Sequence, residues 1–204
     1  LLAVLLQSQK SGDNFEGWIP PSPRYGGFFG EQFKERDNKL RKNSVKEKKR
    51  YYVSCWHSNN DQSDAMWKLY VKGNEGVAIR ATTKALNNSL EDAPQQLWHY
   101  KVIYANSEET PIHGGSMLRA CMIKRMPFEH EKETRIVWYN KNEASESVPD
   151  ENIEGFYVKC NLSTLINQVF VAPTKKPWLK PLVEDILHKY GIKAQVIQSG
   201  LYNT

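Results

Sequence analysis

The run Ile136-Val137-Trp138-Tyr139 is the strongest constraint on how this chain can fold. Its side chains are all β-branched or aromatic. They lose rotamer freedom in a helix and pack well on a pleated surface, so the run reads as a buried strand. The residues leading into it, Phe128-Glu129-His130-Glu131-Lys132-Glu133-Thr134-Arg135, place three carboxylates, a histidine and two cations within eight positions. If the extended conformation reaches back to Glu131, then Glu131, Glu133 and Arg135 share one face. Neighbours in that set are then roughly 6–7 Å apart, because a strand alternates faces and rises about 3.3 Å per residue. Two carboxylates and a guanidinium at a strand mouth form a candidate active site. The plainer alternative is a solvated charge run in which Glu131 and Glu133 pair with Lys132 or Arg135.

Other segments supply a sheet for that strand. Tyr51-Tyr52-Val53-Ser54-Cys55-Trp56-His57 alternates with Tyr52, Ser54 and Trp56 on one face. Strands are also expected at 77–81, 97–105, 156–160, 168–172 and 193–198, the first four together with 51–57 and 134–139 forming one central sheet. Helices are expected at 64–71, capped by Asp61 or Ser63, and at 82–90, capped by threonine. Others are expected at 116–126, ended by Pro127, and at 177–190, stopped by Gly191. Their inward stripes are read as Met66, Leu69 and Tyr70, as Leu118, Cys121 and Met122, and as Leu182, Ile186 and Tyr190. Leu1–Leu6 reads as the end of an amphipathic helix, and 140–152 as a polar loop. Strands mixed with capped helices on an antiparallel plan indicate α+β, in a single domain over 1–204.

Charge and cysteine usage narrow the function. Nine cations and three acids lie between positions 34 and 50, so this stretch carries the chain's whole net charge of +5. It is expected to be a peripheral basic insert over about 31–50, either a solvated helix or an arm that tracks nucleic-acid phosphates. No apolar run approaches the roughly 20 residues that span a bilayer, and no membrane partner is expected. Cys55, Cys121 and Cys160 are sparse and lack a Cys-x-x-Cys pair, which suits thiols in a reducing cytoplasm. His130-Glu131 resembles the opening of a zinc motif, but Thr134 stands where its second histidine belongs, so no metal is expected.

Several blocks, in order, resemble the bacterial domain-of-unknown-function family 2971. They are Asp13-Asn14-Phe15-Glu16-Gly17, Val53-Ser54-Cys55-Trp56, Ala65-Met66-Trp67-Lys68-Leu69-Tyr70, Gly76-Val77-Ala78-Ile79, Phe128 to Arg135 with its Glu131-x-Glu133-x-Arg135 pattern, and Val169 to Pro173 with Ser199-Gly200-Leu201 at the tail. A serine-bearing strand, a helix, and a Glu-x-Glu turn entering a strand also resemble the core of ADP-ribosyltransferases. That resemblance implies a mostly antiparallel ADP-ribosyltransferase-like sheet with flanking helices. It implies an enzyme that uses NAD as its substrate, cytoplasmic and acting as a bacterial toxin or defence effector on a protein or nucleic-acid acceptor. Glu133 would be the catalytic glutamate and Glu131 the residue orienting the acceptor.

The chemistry follows from bond polarity. Cleaving nicotinamide from ribose develops positive charge at the sugar carbon, which a nearby carboxylate stabilises more in the transition state than in the ground state. A second carboxylate aligns or deprotonates the attacking group. Ser54, Trp56, Trp67, Tyr70 and Arg135 are expected to bind the nucleotide in one cleft with both glutamates, the aromatics by stacking and Arg135 by charge. Two other functions fit the same residues: a non-catalytic nucleic-acid-binding module using 34–50, and an N-glycosidase-type hydrolase on the Glu131 and Glu133 carboxylates.

Overall fold

The computed structural model describes residues 2–7, 50–71, 75–106, 122–140, 155–173 and 176–202. The basic 34–50 stretch (Arg50 excepted), the Asp13–Gly17 block, Leu118, Cys121 and nearly all of 140–152 lie outside the described residues.

In chain order the elements are β1 (Leu2–Gln7), β2 (Tyr51–His57), α1 (Asp64–Tyr70), β3 (Val77–Arg80), α2 (Thr83–Ser89), β4 (Leu97–Lys101), β5 (Ile103–Ala105) and β6 (Ile123–Arg125). A 3-10 helix, Met126–Glu131, leads into β7 (Glu133–Tyr139). Then come β8 (Gly155–Lys159), α3 (Leu162–Leu165), β9 (Gln168–Val171), α4 (Leu179–Lys189) and β10 (Gln195–Gln198). The architecture is α+β, with small, mostly antiparallel sheets and short helices. The expected single central sheet is replaced by a five-stranded sheet in the order β4-β7-β2-β1-β8, a three-stranded sheet β10-β9-β3 and a two-stranded sheet β5-β6. The chain's contacts divide it into two compact units, one of 1–3, 59–94 and 158–204, the other of 4–58 and 95–157. No helix among the described residues is long and apolar enough to cross a membrane.

The 4–58/95–157 unit is organised on β7. It pairs antiparallel with β2, Tyr51 opposite Tyr139 and His57 opposite Glu133, and with β4, Trp98 opposite Val137. Opposed residues in such a ladder point to the same side. One face therefore carries Tyr51, Val53, Cys55 and His57 beside Glu133, Arg135, Val137 and Tyr139. At one end of that face Tyr51, Val53, Met122 and Val137 form a buried cluster with Tyr100 and Tyr139 against it. The Tyr51 and Tyr139 rings lie 4.7 Å apart, and Arg50 donates to the Tyr139 hydroxyl. The opposite face carries Tyr52, Ser54 and Trp56 beside Thr134, Ile136 and Trp138, with the Tyr52 and Trp138 rings 5.4 Å apart.

Three expectations in this unit are corrected. Residues 2–7 form a strand, paired antiparallel to β2 with Leu6 opposite Val53, rather than the end of a helix. The long 97–105 strand breaks at Val102. Consecutive amides point to opposite edges, so Val102 donates to the Glu133 carbonyl while Ile103 donates to that of Met122, and the chain passes from one sheet to another. Residues 123–125 form a strand instead of a helix, and Pro127 opens the 3-10 helix rather than ending one. Pro is suited to a first turn because its missing N–H has no partner to lose there.

In the 59–94/158–204 unit, β9 runs parallel to β10 and antiparallel to β3. Val169, Val171, Leu86, Leu165, Leu179, Leu187 and Trp67 are buried. Oxygens of Ser63, Thr82 and Asn161 accept from the first-turn amides of α1, α2 and α3. Gly191 ends α4 at φ 67, the left-handed conformation that glycine adopts without a Cβ clash. The inward stripes differ from expectation. On α1 it is Trp67 that is buried, while Leu69 and Tyr70 are exposed; on α4, Leu179 and Leu187 are buried, while Leu182, Ile186 and Tyr190 are exposed.

Candidate active site

The face of β7 that is apolar at Val137 and Tyr139 becomes charged towards its start. Arg135 is 2% exposed, and its Nε and Nη2 donate to Glu133 Oε1 and Oε2 at 2.7 and 2.9 Å, a two-pronged grip on a buried carboxylate. Glu133 shares its Oε2 with Lys124 Nζ at 3.4 Å, and the same ammonium donates to Glu131 Oε2 at 2.7 Å. Four charges of alternating sign thus run Arg135, Glu133, Lys124, Glu131. Side-chain exposure rises along that line from 2% at Arg135 to 12% at Glu131, so Glu131 is the member nearest solvent. Because one nitrogen touches both Oε2 atoms, the two carboxylate oxygens are at most about 6.1 Å apart, the sum of 2.7 and 3.4 Å.

Backbone geometry makes the pairing. Glu131 is not on the strand. It ends the 3-10 helix, and Lys132 follows with φ 41 and ψ 52, left-handed for a residue with a side chain. That single reversal is fixed by two hydrogen bonds: Lys132 N–H donates to the Glu129 carbonyl, and its own carbonyl accepts from Ser58 N–H at 2.8 Å. Glu131 and Glu133 therefore meet through Lys124 on the neighbouring β6 and not by alternation along an extended chain. The Glu133 N–H donates to the Tyr104 hydroxyl at 2.7 Å.

Electrostatics keep Glu133 ionised. Burial alone would raise its pKa. The Arg135 hydrogen bonds and charge, a hydrogen bond from the Cys55 thiol, and the Lys124 ammonium outweigh burial and hold the carboxyl below its usual range. Tyr104 shifts upward, first through burial and then through the nearby Glu133 and Glu131 charges, which disfavour a phenolate. His57 sits opposite Glu133 and brings its Nδ1 within 2.6 Å of the Glu131 carbonyl oxygen. Among the described residues no three His, Cys, Asp or Glu side chains converge in a way that would hold a metal ion.

Of the residues expected in one cleft, those of the 4–58/95–157 unit divide between the two faces of its sheet. Glu131, Glu133 and Arg135 come together, but Ser54 and Trp56 project from the other face of the sheet, since Ser54 opposes Ile136 and Trp56 opposes Thr134. There the Trp56 indole N–H donates to Ser54 Oγ at 3.2 Å. Trp67 and Tyr70 belong to the other compact unit. Trp67 is a core residue there, its indole N–H donating to Gln62 Oε1 at 3.2 Å, and Tyr70 is exposed. The reason lies in the period of two. Ser54 and Trp56 share a face with each other, and the β2–β7 register decides which residues of β7 they join.

Lys124, Tyr104, Cys55 and His57 complete the cluster and were not among the expected site residues. Cys55 and His57 carried a signal, as they alternate with Ser54 and Trp56 and so face whichever side those two do not. Lys124 carried none, because its segment reads as a helix. Comparisons of the chain with protein-family models, with characterised proteins and with solved structures gave no match.

Proposed function

We propose that the Glu131–Glu133 pair is the reaction centre of an ADP-ribosyltransferase-like enzyme that breaks the bond between nicotinamide and ribose in NAD. Water or a hydroxyl of a macromolecule is the acceptor. The observation that carries the reading is the bridging of the two carboxylates by the single Lys124 ammonium. Their oxygens then fall within about 6 Å, the range in which paired carboxylates work on glycosidic bonds. Glu133, ionised and immobile, supplies negative potential to the developing oxocarbenium ion without reorganising. Glu131, at the solvent end, aligns the acceptor. Ser54 and Trp56, on the other face of the sheet, take no part in this version of the site, and Arg135 acts by holding Glu133 rather than by binding the nucleotide.

One observation favours a second reading, in which the cluster is purely structural. Arg135 already occupies both oxygens of Glu133, and the four charges cancel. Glu131→Gln separates the two readings, because Glu131 is the least buried of the four and its amide can still accept from Lys124. Incubation with nicotinamide-labelled NAD should show release by the native chain and a loss of about 10²-fold or more in the variant, the size seen when one positioned group is removed. Absence of nicotinamide release from the native chain would leave the structural reading standing alone.

A further inference from the structure

His57 occupies an unusual position in this cluster. A carbonyl oxygen can only accept, so the 2.6 Å contact between Nδ1 and the Glu131 carbonyl requires the proton to be on Nδ1. In the neutral ring the other nitrogen, Nε2, is then a bare lone pair. That atom is buried, and no hydrogen-bond partner reaches it among the described residues. His57 ends β2 in register with Glu133, and the next residue's amide is tied to the Lys132 carbonyl. Buried polar atoms in folded proteins are almost always satisfied, and one that is not calls for a reason, such as a catalytic role or a bound water or ion.

We propose that His57 is the proton acceptor of the Glu131–Glu133 site, its Nε2 taking the proton of the attacking hydroxyl. The inference rests on the carboxylate-pair reading above. In the step, the acceptor oxygen forms a bond to the ribose carbon that carried nicotinamide, and the carbon–nitrogen bond breaks. The electron pair of that bond goes to the nicotinamide ring and cancels its positive charge. The acceptor's proton passes to Nε2 and from the imidazolium to water. The arrangement repeats a familiar division of labour: the hydrogen bond at Nδ1 fixes the tautomer and leaves Nε2 as the base.

Three measurements test this. Imidazole nitrogen NMR of the native chain at pH 8 should show Nδ1 protonated and Nε2 bare, with the Nε2 resonance moving when ADP-ribose is added. A protonated Nε2 overturns the proposal. His57→Asn keeps a donor at the Nδ1 position and removes the base. It should retain folding and ADP-ribose binding while nicotinamide release falls about 10²–10⁴-fold, as for loss of a general base. His57→Gln, which sets an amide near the Nε2 position, should lose turnover equally and serves if the asparagine variant fails to fold. Undiminished turnover in either variant overturns the role of His57 alone. No turnover in the native chain overturns the enzyme reading and this inference together.

Discussion

Arg135 and Glu133 are both less than 5% exposed and grip each other through two hydrogen bonds, with Lys124 adding a third charge. Taking such charges out of water is costly, and removing one partner strands the other. Glu133→Gln is therefore expected to destabilise the fold by about 3–5 kcal/mol, and Glu133→Gln with Arg135→Met to lose clearly less than the two single changes summed. Urea unfolding of the four proteins in the cycle measures this; additive losses would show that the pair is not coupled. The Glu-x-Glu-x-Arg block was legible as a polar constellation because its residue types have no other reason to precede a buried run. Its geometry was not legible. The left-handed Lys132 takes Glu131 off the strand, and nothing in the identity of a lysine announces a positive φ. Nor did the residues of β2 state which of their faces would meet Glu133, so Ser54 and Trp56 were grouped with the wrong side.

Most strands and helices were legible to within a residue or two, and the misses share a cause. Helix 179–189 shows it best. Leu182, Ile186 and Tyr190 make one stripe at four-residue spacing, and Leu179, Val183 and Leu187 make another immediately beside it. Periodicity finds both and ranks neither; tertiary packing chooses the second, burying Leu179 and Leu187 to 8% exposure. Leu187→Ala should accordingly cost about 2–5 kcal/mol, as for other buried leucines. Leu182→Gln and Ile186→Gln, on the exposed stripe, should each stay within about 0.5 kcal/mol of the native chain. Thermal or urea unfolding decides it, and equal losses at Leu182 and Leu187 would show that the exposed stripe is packed. The 123–125 segment failed for a related reason: its three residues gain their strand conformation from pairing with β5, a long-range contact that local pattern does not carry.

At the scale of the molecule, two groups among the described residues of the 4–58/95–157 unit bear on its response to acid. Burial holds the His99 imidazole below its usual 6.5. Its Nε2 donates to Thr134 Oγ1, whose own proton goes to the Tyr100 carbonyl. A group depressed on folding binds its proton more readily in the unfolded chain, so stability is lost as pH falls. The loss from His99 begins below about pH 6.5, and that from Glu133, also depressed on folding, begins below its ordinary value of 4.5. Hydrogen exchange of the β7 amides between pH 8 and pH 3.5 should show protection falling in two stages. His99→Gln should abolish only the upper stage. Loss of protection on raising the pH through 6.5 would contradict the assignment of sign.

The change from apolar to charged along one face of the β2–β7 ladder also fixes which alignment of the two strands can exist. Sliding β7 by one residue would bring Arg135 opposite Ser54 and Glu133 opposite Trp56, exchanging the contents of the two faces. Sliding it by two keeps the faces but sets Arg135 opposite Val53, within the cluster of Tyr51, Val53, Met122 and Val137. Each shifted ladder keeps many of its backbone hydrogen bonds, and so backbone pairing alone discriminates poorly among them. The buried guanidinium discriminates against these two, because the first carries it to the other face and the second into an apolar cluster. The buried pair thereby works against both of these shifted ladders, whatever it adds in net stability.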